Sequence, residues 1–537
     1  MKRLAFIISI LLIACSTSSA AEKPIRKKLL FSGRAVPSRM EQFQTDAATI
    51  ERVFPFDGLV IRPMLVLERD GRPLPCDLSR VDTAELGKLR LESKDFQSWS
   101  QALSRLRFAR LQSNFIAASS AAFPAGWFDE DSWNQSLTYF VYLANVANQT
   151  GCRGLLLDTG AANANSPFAF RPLGGHSLQQ VRQQVQRRGH QWIEAIAKAS
   201  PNGEIFFTTW LNGLTGISPE NDLFLLADFA RGVLEAAPST IRLIDGNGQM
   251  RHHSRAELPD CNRPATALYL EGAASVPRNS RESFFRVSSL ALPIDLGNHS
   301  FDAAGCQRFL NALVHSVECT DEYVLITDSG KNSPSPTKKY PYLNEMLQAG
   351  LAPLAAAQRF ADKENLLHNG GFAAAPPFGK AEPDTVDFGA GGWFAWQDKR
   401  KKAGRILLEK EGVAFRGIIK GSIVQPVFIQ PGRYLLTACA RSSSETLLPQ
   451  LSCNFRDKRN MFITTLRVNA IFGQPDSEGW RQAAAIVDVP ANANINYMTV
   501  TAGVSGSNYP VAQETVCHFS EAALRRIAYP WNKPKTK

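Results

Sequence analysis

No Cys-x-x-Cys pair occurs anywhere in the 537 residues, so zinc and dithiol-redox motifs are not supported. No serine stands in a Gly-x-Ser-x-Gly elbow, and no glycine-rich phosphate loop follows an apolar run. Histidine is scarce, at 8 residues. The pair His252-His253 has no carboxylate or third histidine at ligand spacing, so no metal site is assigned, and no cofactor either. Beyond the first residues no apolar run is long enough to span a bilayer. Internal repeats and low-complexity tracts are not evident. Charged residues at 20% and hydrophobic ones at 44% describe an ordinary globular chain.

Basic residues outnumber acidic ones, for a formal charge of +11, but they are scattered, with short runs at Arg26-Lys27-Lys28 and Lys399–Lys402. Nucleic-acid binding would want a concentrated patch on a recognisable fold, so no nucleic-acid partner is expected. A solvated basic surface that tolerates anionic polysaccharide or envelope lipid is the plainer account. The start, "MKRLAFIISILLIACSTSSAAEKP", has a basic n-region, a short apolar run and small residues, the pattern of a secretory signal over 1–20. Two processing routes fit. Cleavage after Ser18-Ser19-Ala20 releases an exported soluble chain, whereas Leu12-Ile13-Ala14-Cys15 resembles a bacterial lipobox that would lipidate Cys15. The protein is thus expected to be periplasmic, extracellular or lipid-anchored to the envelope, touching membrane only through that anchor. Export permits disulfides, and Cys439 and Cys453, flanking an expected hairpin, are a candidate pair.

The chain is too long for a single core. Over 29–330, short apolar runs alternate with amphipathic stretches, the pattern of a parallel sheet wrapped by helices. The expected strands are 29–31, 58–61, 114–118, 154–158, 204–210, 242–246, 288–295 and 323–327, with a last helix over 342–363. That order predicts a (β/α)8 TIM barrel over 25–363, whose chemistry belongs on the loops after the strand C-termini. From Asn365 the texture becomes short alternating strands separated by turn residues, predicting a β-sandwich over 364–530.

In "NLLHNGGF" (365–372), "GGWFAW" (391–396), "VQPVFIQPGRYLLTACARS" (424–442) and "GWRQAAAIVDVP" (479–490) the second part resembles the jelly-roll, galactose-binding-like carbohydrate-binding modules of the family 4 and 9 type. The closing "VCHFSEAALRRI" (516–527) lacks the aspartate usual there, which puts a structural calcium site in doubt. In "PFDGLVI" (55–61), "NFIAA" (114–118), "GWFDEDSW" (126–133), "GCRGLLLD" (151–158) and "RGVLEAAPSTIRLIDG" (231–246) the first part resembles bacterial barrel proteins grouped with glycoside hydrolases. In that group the fourth strand ends Asp-Pro-Glu and the sixth Asp-Gly-x-Glu. Here they read Asp158-Thr159-Gly160 and Asp245-Gly246-Asn247-Gly248, with Gly160 and Gly248 where glutamates would stand. The resemblance implies a carbohydrate-active protein acting on poly- or oligosaccharide, with a non-catalytic glycan-binding relative as the alternative.

Glycoside hydrolysis needs two carboxyl groups about 5–5.5 Å apart in retaining enzymes and about 6.5–9.5 Å apart in inverting ones. Asp158 and Asp245, ending the fourth and sixth strands, are one candidate pair; their alternative role is capping turns. Asp295, with Asn298 and His299 beside it, follows the seventh strand and is a further catalytic candidate. Trp210 and Asn212 suit sugar stacking and hydroxyl binding, as does His299. Asp129, Glu130 and Asp131 read as an acid-rich helix start. In the sandwich, Trp393 is expected in the core, and Trp396, Gln397 and Arg441 on a glycan-binding face.

Overall fold

The structure, a computed structural model, describes residues 26–532, apart from 70–71, 160–165, 173–174, 212–213, 215–216, 248–273, 275, 277, 299–301, 329–334, 373–392, 398–403, 445–446, 458–461, 490–494 and 507–513. Residues 1–25, with Cys15, and Gly160, Asn212, Gly248 and His299, lie outside the described residues. The chain divides into two compact units, at Leu351 and Ala352. No helix among the described residues is long and apolar enough to cross a membrane.

In the first unit the apolar runs become strands β1 (Lys28–Gly33), β2 (Gly58–Ile61), a hairpin of β3 (Met64–Arg69) and β4 (Arg72–Asp77), then β5 (Phe115–Ser119), β6 (Gly154–Asp158), β7 (Glu204–Phe207), β8 (Arg242–Asp245), β9 (Ser288–Leu290), β10 (Leu292–Asp295) and β11 (Tyr323–Asp328). Apart from the antiparallel β3–β4 hairpin they make one parallel sheet in the order β10-β11-β1-β2-β5-β6-β7-β8-β9. Buried on both faces, the strands need no polar alternation, which is why they read as unbroken apolar runs. The barrel-like sheet has nine strands rather than the expected eight, because 288–295 is split at Ala291. Its two halves pair with opposite ends of the sheet, β9 with β8 and β10 with β11, and the ladder is not sealed there. Pro293, without an N–H to give, lies just past the break.

Ten side chains fill the interior of the sheet, among them Leu30, Val60, Ala117, Leu156, Ile244 and Leu325. Three of them are interlocking rings. Phe115 meets Phe206 edge-on at 6.0 Å and Tyr323 at 5.6 Å, and the Tyr323 hydroxyl donates to Glu204 at 2.7 Å.

The helices outside follow their caps. Asp129 accepts from the Ser132 amide at 3.2 Å to start the helix Glu130–Thr150, which Gly151 ends in the left-handed region at φ +72°. Ser177 and Gln180 form a capping box at the start of Leu178–Ala199. The single helix expected over 342–363 is two, Leu343–Leu351 and Pro353–Phe360. Proline has no amide to continue the bonding, and its helix starts the second unit, packing there on β16 (Gly432–Ser442) and β20 (Arg481–Val489).

That unit is antiparallel throughout. One sheet runs β12 (Phe394–Gln397), β15 (Lys420–Phe428), β21 (Ile495–Gly506), β17 (Leu447–Asp457), β18 (Phe462–Asn469). The other runs β13 (Arg405–Glu409), β14 (Gly412–Arg416), β22 (Val516–Arg526), β16, β20, β19 (Ile471–Phe472). A shared core including Leu436, Phe455, Val487, Met498 and Phe519 packs between them, so an α/β barrel-like unit is followed by a β-sandwich. The opening "NLLHNGGF" is explained by Asn365. Its side chain donates to the Ala522 carbonyl at 3.0 Å and accepts from Leu367 and Leu524, and a Cβ on Gly370 would lie 1.9 Å from that same carbonyl oxygen. Trp393 is in the core, 1% exposed, its indole donating to the His368 carbonyl. Cys439 and Cys453 do not pair. Both are free thiols, Cys453 in the core and Cys439 on the outer face of β16, since neighbours Ala438 and Ala440 point inward.

The helices Leu178–Ala199 and Leu226–Ala236 touch backbone to backbone. A Cβ on Gly232 would lie 1.8 Å from the Gln186 carbonyl oxygen, and one on Gly189 2.2 Å from that of Phe229. Gly232→Ala is expected to destabilise the first unit by about 1–3 kcal/mol despite alanine's better helix propensity. Gly87→Ala, whose Cβ would meet only the end of the Gln135 side chain at 3.3 Å, is expected to be neutral or stabilising. Urea unfolding of the two variants checks this; equal midpoints would refute it.

Candidate functional site

The strand period of two decides which side chains reach the mouth of the barrel. Leu30, Val60, Ala117, Leu156, Phe206, Ile244 and Leu325 point to the axis, so Ser32, Arg62, Ser119, Asp158, Thr208, Gly246 and Thr327, two residues on, point there as well. Register adds Asp295, which partners Thr327. Asp158 and Asp295 therefore both face the axis, from β6 and β10.

Asp158 is exposed at the end of a strand otherwise buried. Thr208 donates to its carboxylate at 2.8 Å and accepts from the Thr159 amide at 3.0 Å, and Ser120 donates to its main-chain oxygen at 2.6 Å. Asp295 is buried, with one carboxylate oxygen accepting from the Gly297 amide at 3.0 Å.

Asp245 is not brought together with Asp158. It partners Phe207 and Leu290, and Phe207 stacks outside the sheet on Trp210, so Asp245 faces the helix side. There its two oxygens accept from the Leu211 amide at 3.2 Å and the Asn247 amide at 3.0 Å. Asn247 sits at φ +46°. This is the turn-capping role, not a place on the axis. Trp210 is likewise not at the mouth. It is 0% exposed, stacked on Phe207 at 3.8 Å, and its indole N–H finds no partner among the described residues.

Beside Asp158 opens a cleft of about 670 Å³, whose wall includes Arg80, Thr83, Ser119, Ser120 and Arg171. Aromatic packing holds that wall. Phe123, itself on the cleft, packs against Trp127, Phe140, Phe168 and Phe229. The Trp127 indole donates to the Pro167 carbonyl at 3.0 Å, and buried Arg188 donates to the Trp127 carbonyl and to Glu130. The hydrogen bond from Arg188 is the main reason the Glu130 carboxyl lies below its ordinary range.

Sequence reasoning missed Thr208, Arg62 and Arg80. The first two were findable by counting two residues past an inward strand position, but Arg80 follows the β3–β4 hairpin and has no such signal. It also missed Asp328, which ends β11 and is held by Lys339 at 3.0 Å on the outward face. Burial pushes the Cys76 and Cys152 thiols up to about 11, so neither is a poised nucleophile. Among the described residues no three His, Cys, Asp or Glu side chains gather as a metal set.

In the sandwich the three expected binding residues part company. Trp396 stands 48% exposed on the outer face of the five-stranded sheet, beside Phe394 at 50%. Gln397, next along β12, alternates to the other side. Arg441 belongs to the six-stranded sheet. Its guanidinium lies 4.9 Å from the Trp480 ring centre and pairs with Glu411. Trp396 and Arg441 thus occupy opposite outer faces and serve no common ligand.

No protein-family model matches the chain, and no curated protein matches it in sequence. Solved structures do. A family 4 carbohydrate-binding module is 14% identical, covering 30% of this chain and 99% of its own, with a TM-score of 0.20. A xylan-binding domain of family 22 is 11% identical, covering 32% of this chain and 99% of its own, at 0.21. The apo 3-keto-D-glucoside 4-epimerase of E. coli is 15% identical, covering 60% of this chain and 98% of its own, at 0.33.

Because Asp245 caps two buried amides, Asp245→Ala is expected to cost about 1–3 kcal/mol of stability. Asp158→Ala, which removes an exposed side chain, is expected to stay within about 1 kcal/mol. Denaturant midpoints of both variants give the comparison, and a larger loss for Asp158→Ala would reverse the assignment.

Proposed function

We propose that the chain is an exported carbohydrate-active protein, with a glycoside hydrolase-like barrel and a sandwich that holds poly- or oligosaccharide. The observation that carries this reading is the pair of carboxylates, Asp158 and Asp295, facing the axis at the C-terminal mouth of a barrel-like sheet. There one acid can protonate a leaving oxygen while the other attacks or activates water. The sequence resemblance of both parts to carbohydrate-active families supports it, as does the exposed Trp396–Phe394 surface, whose flat rings suit the C–H faces of sugars. In this reading Thr208 keeps the Asp158 carboxylate aimed at the cleft.

A second reading, glycan binding without hydrolysis, is favoured by one specific feature. The axis-facing position on the β8 side is Gly246, which supplies neither proton nor charge.

A hydrolysis and glycan-binding screen separates the two. For an active barrel, Asp158→Asn and Asp295→Asn are each expected to lower kcat by roughly 10²–10⁴ with binding kept, while Asp245→Asn changes stability rather than the chemical step. Trp396→Ala is expected to weaken polysaccharide binding and leave turnover of a short oligosaccharide unchanged. Binding with no hydrolysis of any glycan selects the second reading. Hydrolysis indifferent to both axis-facing substitutions removes Asp158 and Asp295 from the chemistry.

A further inference from the structure

A groove of about 370 Å³ lies on the six-stranded sheet of the second unit, across β22, β16 and β20. A bulge builds it. Thr437 pairs with Ala523 and Cys439 with Ser520, so Glu521 and Ala522 both stand opposite Ala438. In an unbroken ladder Glu521 would share the inward phase of Ala438 and enter the core. The extra residue gives that place to Ala522, which is 1% exposed, and turns Glu521 out to solvent. Glu521 stands at φ +54°, a conformation that suits glycine and costs other residues. Its side chain returns little to the fold: its one hydrogen-bond partner among the described residues is the Cys439 thiol, at 3.8 Å.

The opening "NLLHNGGF" locks this bulge in place. Asn365 holds the Ala522 carbonyl, and the Leu366 amide donates to the Leu524 carbonyl at 2.8 Å. Gly371 in the same segment lines the groove and is bound by neither constraint that calls for glycine. A Cβ there would meet nothing within 4 Å, and its φ is not left-handed. Thr437, Gln482 and Arg525 also line the groove, and their side chains make no hydrogen bond or ion pair among the described residues. Donors and acceptors are thus balanced there, with one acid, one base, an amide and a hydroxyl, and no aromatic ring among the lining residues. Glu521 and Arg525 are four residues apart on a strand rising about 3.3 Å per residue. That is too far for the ammonium and carboxylate of one amino acid, whereas a carboxylate and a guanidinium can each serve separate hydroxyls of a sugar. The volume is at the low end of small-ligand sites, which suits one or two rings rather than a chain.

We propose that this groove is a second sugar site, on the opposite outer face from Trp396, which takes a neutral mono- or disaccharide unit through its hydroxyls. Glu521 accepts from them, Arg525 and Thr437 donate, and Gln482 does both. This rests on the reading of the second unit as a sandwich that holds glycan, and it adds a site that works by hydrogen bonding rather than stacking.

The test uses the full chain and calorimetric titration with cellobiose, lactose and maltose, with glycylglycine as a zwitterion of similar size. Wild type is expected to bind at least one disaccharide. Glu521→Gln is expected to weaken that binding by about tenfold, and Gly371→Phe, whose ring would stand in the groove, to abolish it; thermal melts of both show that the loss is not unfolding. Glu521→Gly is expected to raise the melting temperature while binding is lost, since it removes the strain together with the carboxylate. A lower melting temperature for Glu521→Gly shows that the side chain serves the fold and overturns the inference. Disaccharide binding that survives both groove variants and falls with Trp396→Ala overturns it too, and leaves the sandwich reading intact. So does binding of no disaccharide while polysaccharide is still retained. Tighter binding of glycylglycine overturns the sugar assignment. Retention of no polysaccharide either removes the underlying reading as well.

Discussion

The mouth of the first unit depends on how tightly its interior is filled. Phe115, Phe206 and Tyr323 interlock inside the sheet, and a filled interior admits no slip of one strand past another. A slip by a single residue would exchange inward and outward faces along that whole strand. With the register held, Asp158, Thr208 and Asp295 must project to the axis and Asp245 must turn away. The functional geometry is thus a consequence of packing below it.

The same logic governs the wall of the cleft. Phe123 and Trp127 come from a loop, yet they are buried among rings from several elements, and Arg188 closes the cluster through the Trp127 carbonyl and Glu130. Aromatic packing thus fixes the place of this wall of the cleft.

The second unit reuses one feature twice, because a sandwich has two outer faces. Trp396 with Phe394 marks one, and Arg441 stacked over Trp480 marks the other. Grouping Trp396 and Arg441 as one site was reasonable along the chain and is excluded by the strand order, which puts β12 and β16 in different sheets.

Much was legible before the fold was known. The run "GLLLD" reads as a strand ending in a carboxylate because a parallel strand covered on both faces is apolar at successive positions. Asp129 is a cap because its side chain serves an amide three residues on, a local contact. "NLLHNGGF" reads as a module opening, and Asn365 shows the physical reason. What the sequence by itself determined were therefore features set by near neighbours, strand ends and caps; the texture changes at Asn365, whereas the second compact unit begins at Ala352. Tertiary structure decided the rest. Asp158 and Asp245 end similar strands and look equivalent in sequence, but one faces the axis and the other caps Leu211 and Asn247, since a single residue of phase sends consecutive strand side chains to opposite faces. Trp210 sinks onto Phe207, the long helix breaks at Pro353 to join the sandwich, and arginines far apart in the chain meet at one cleft. Such meetings depend on register and sheet order, which no short stretch of sequence contains.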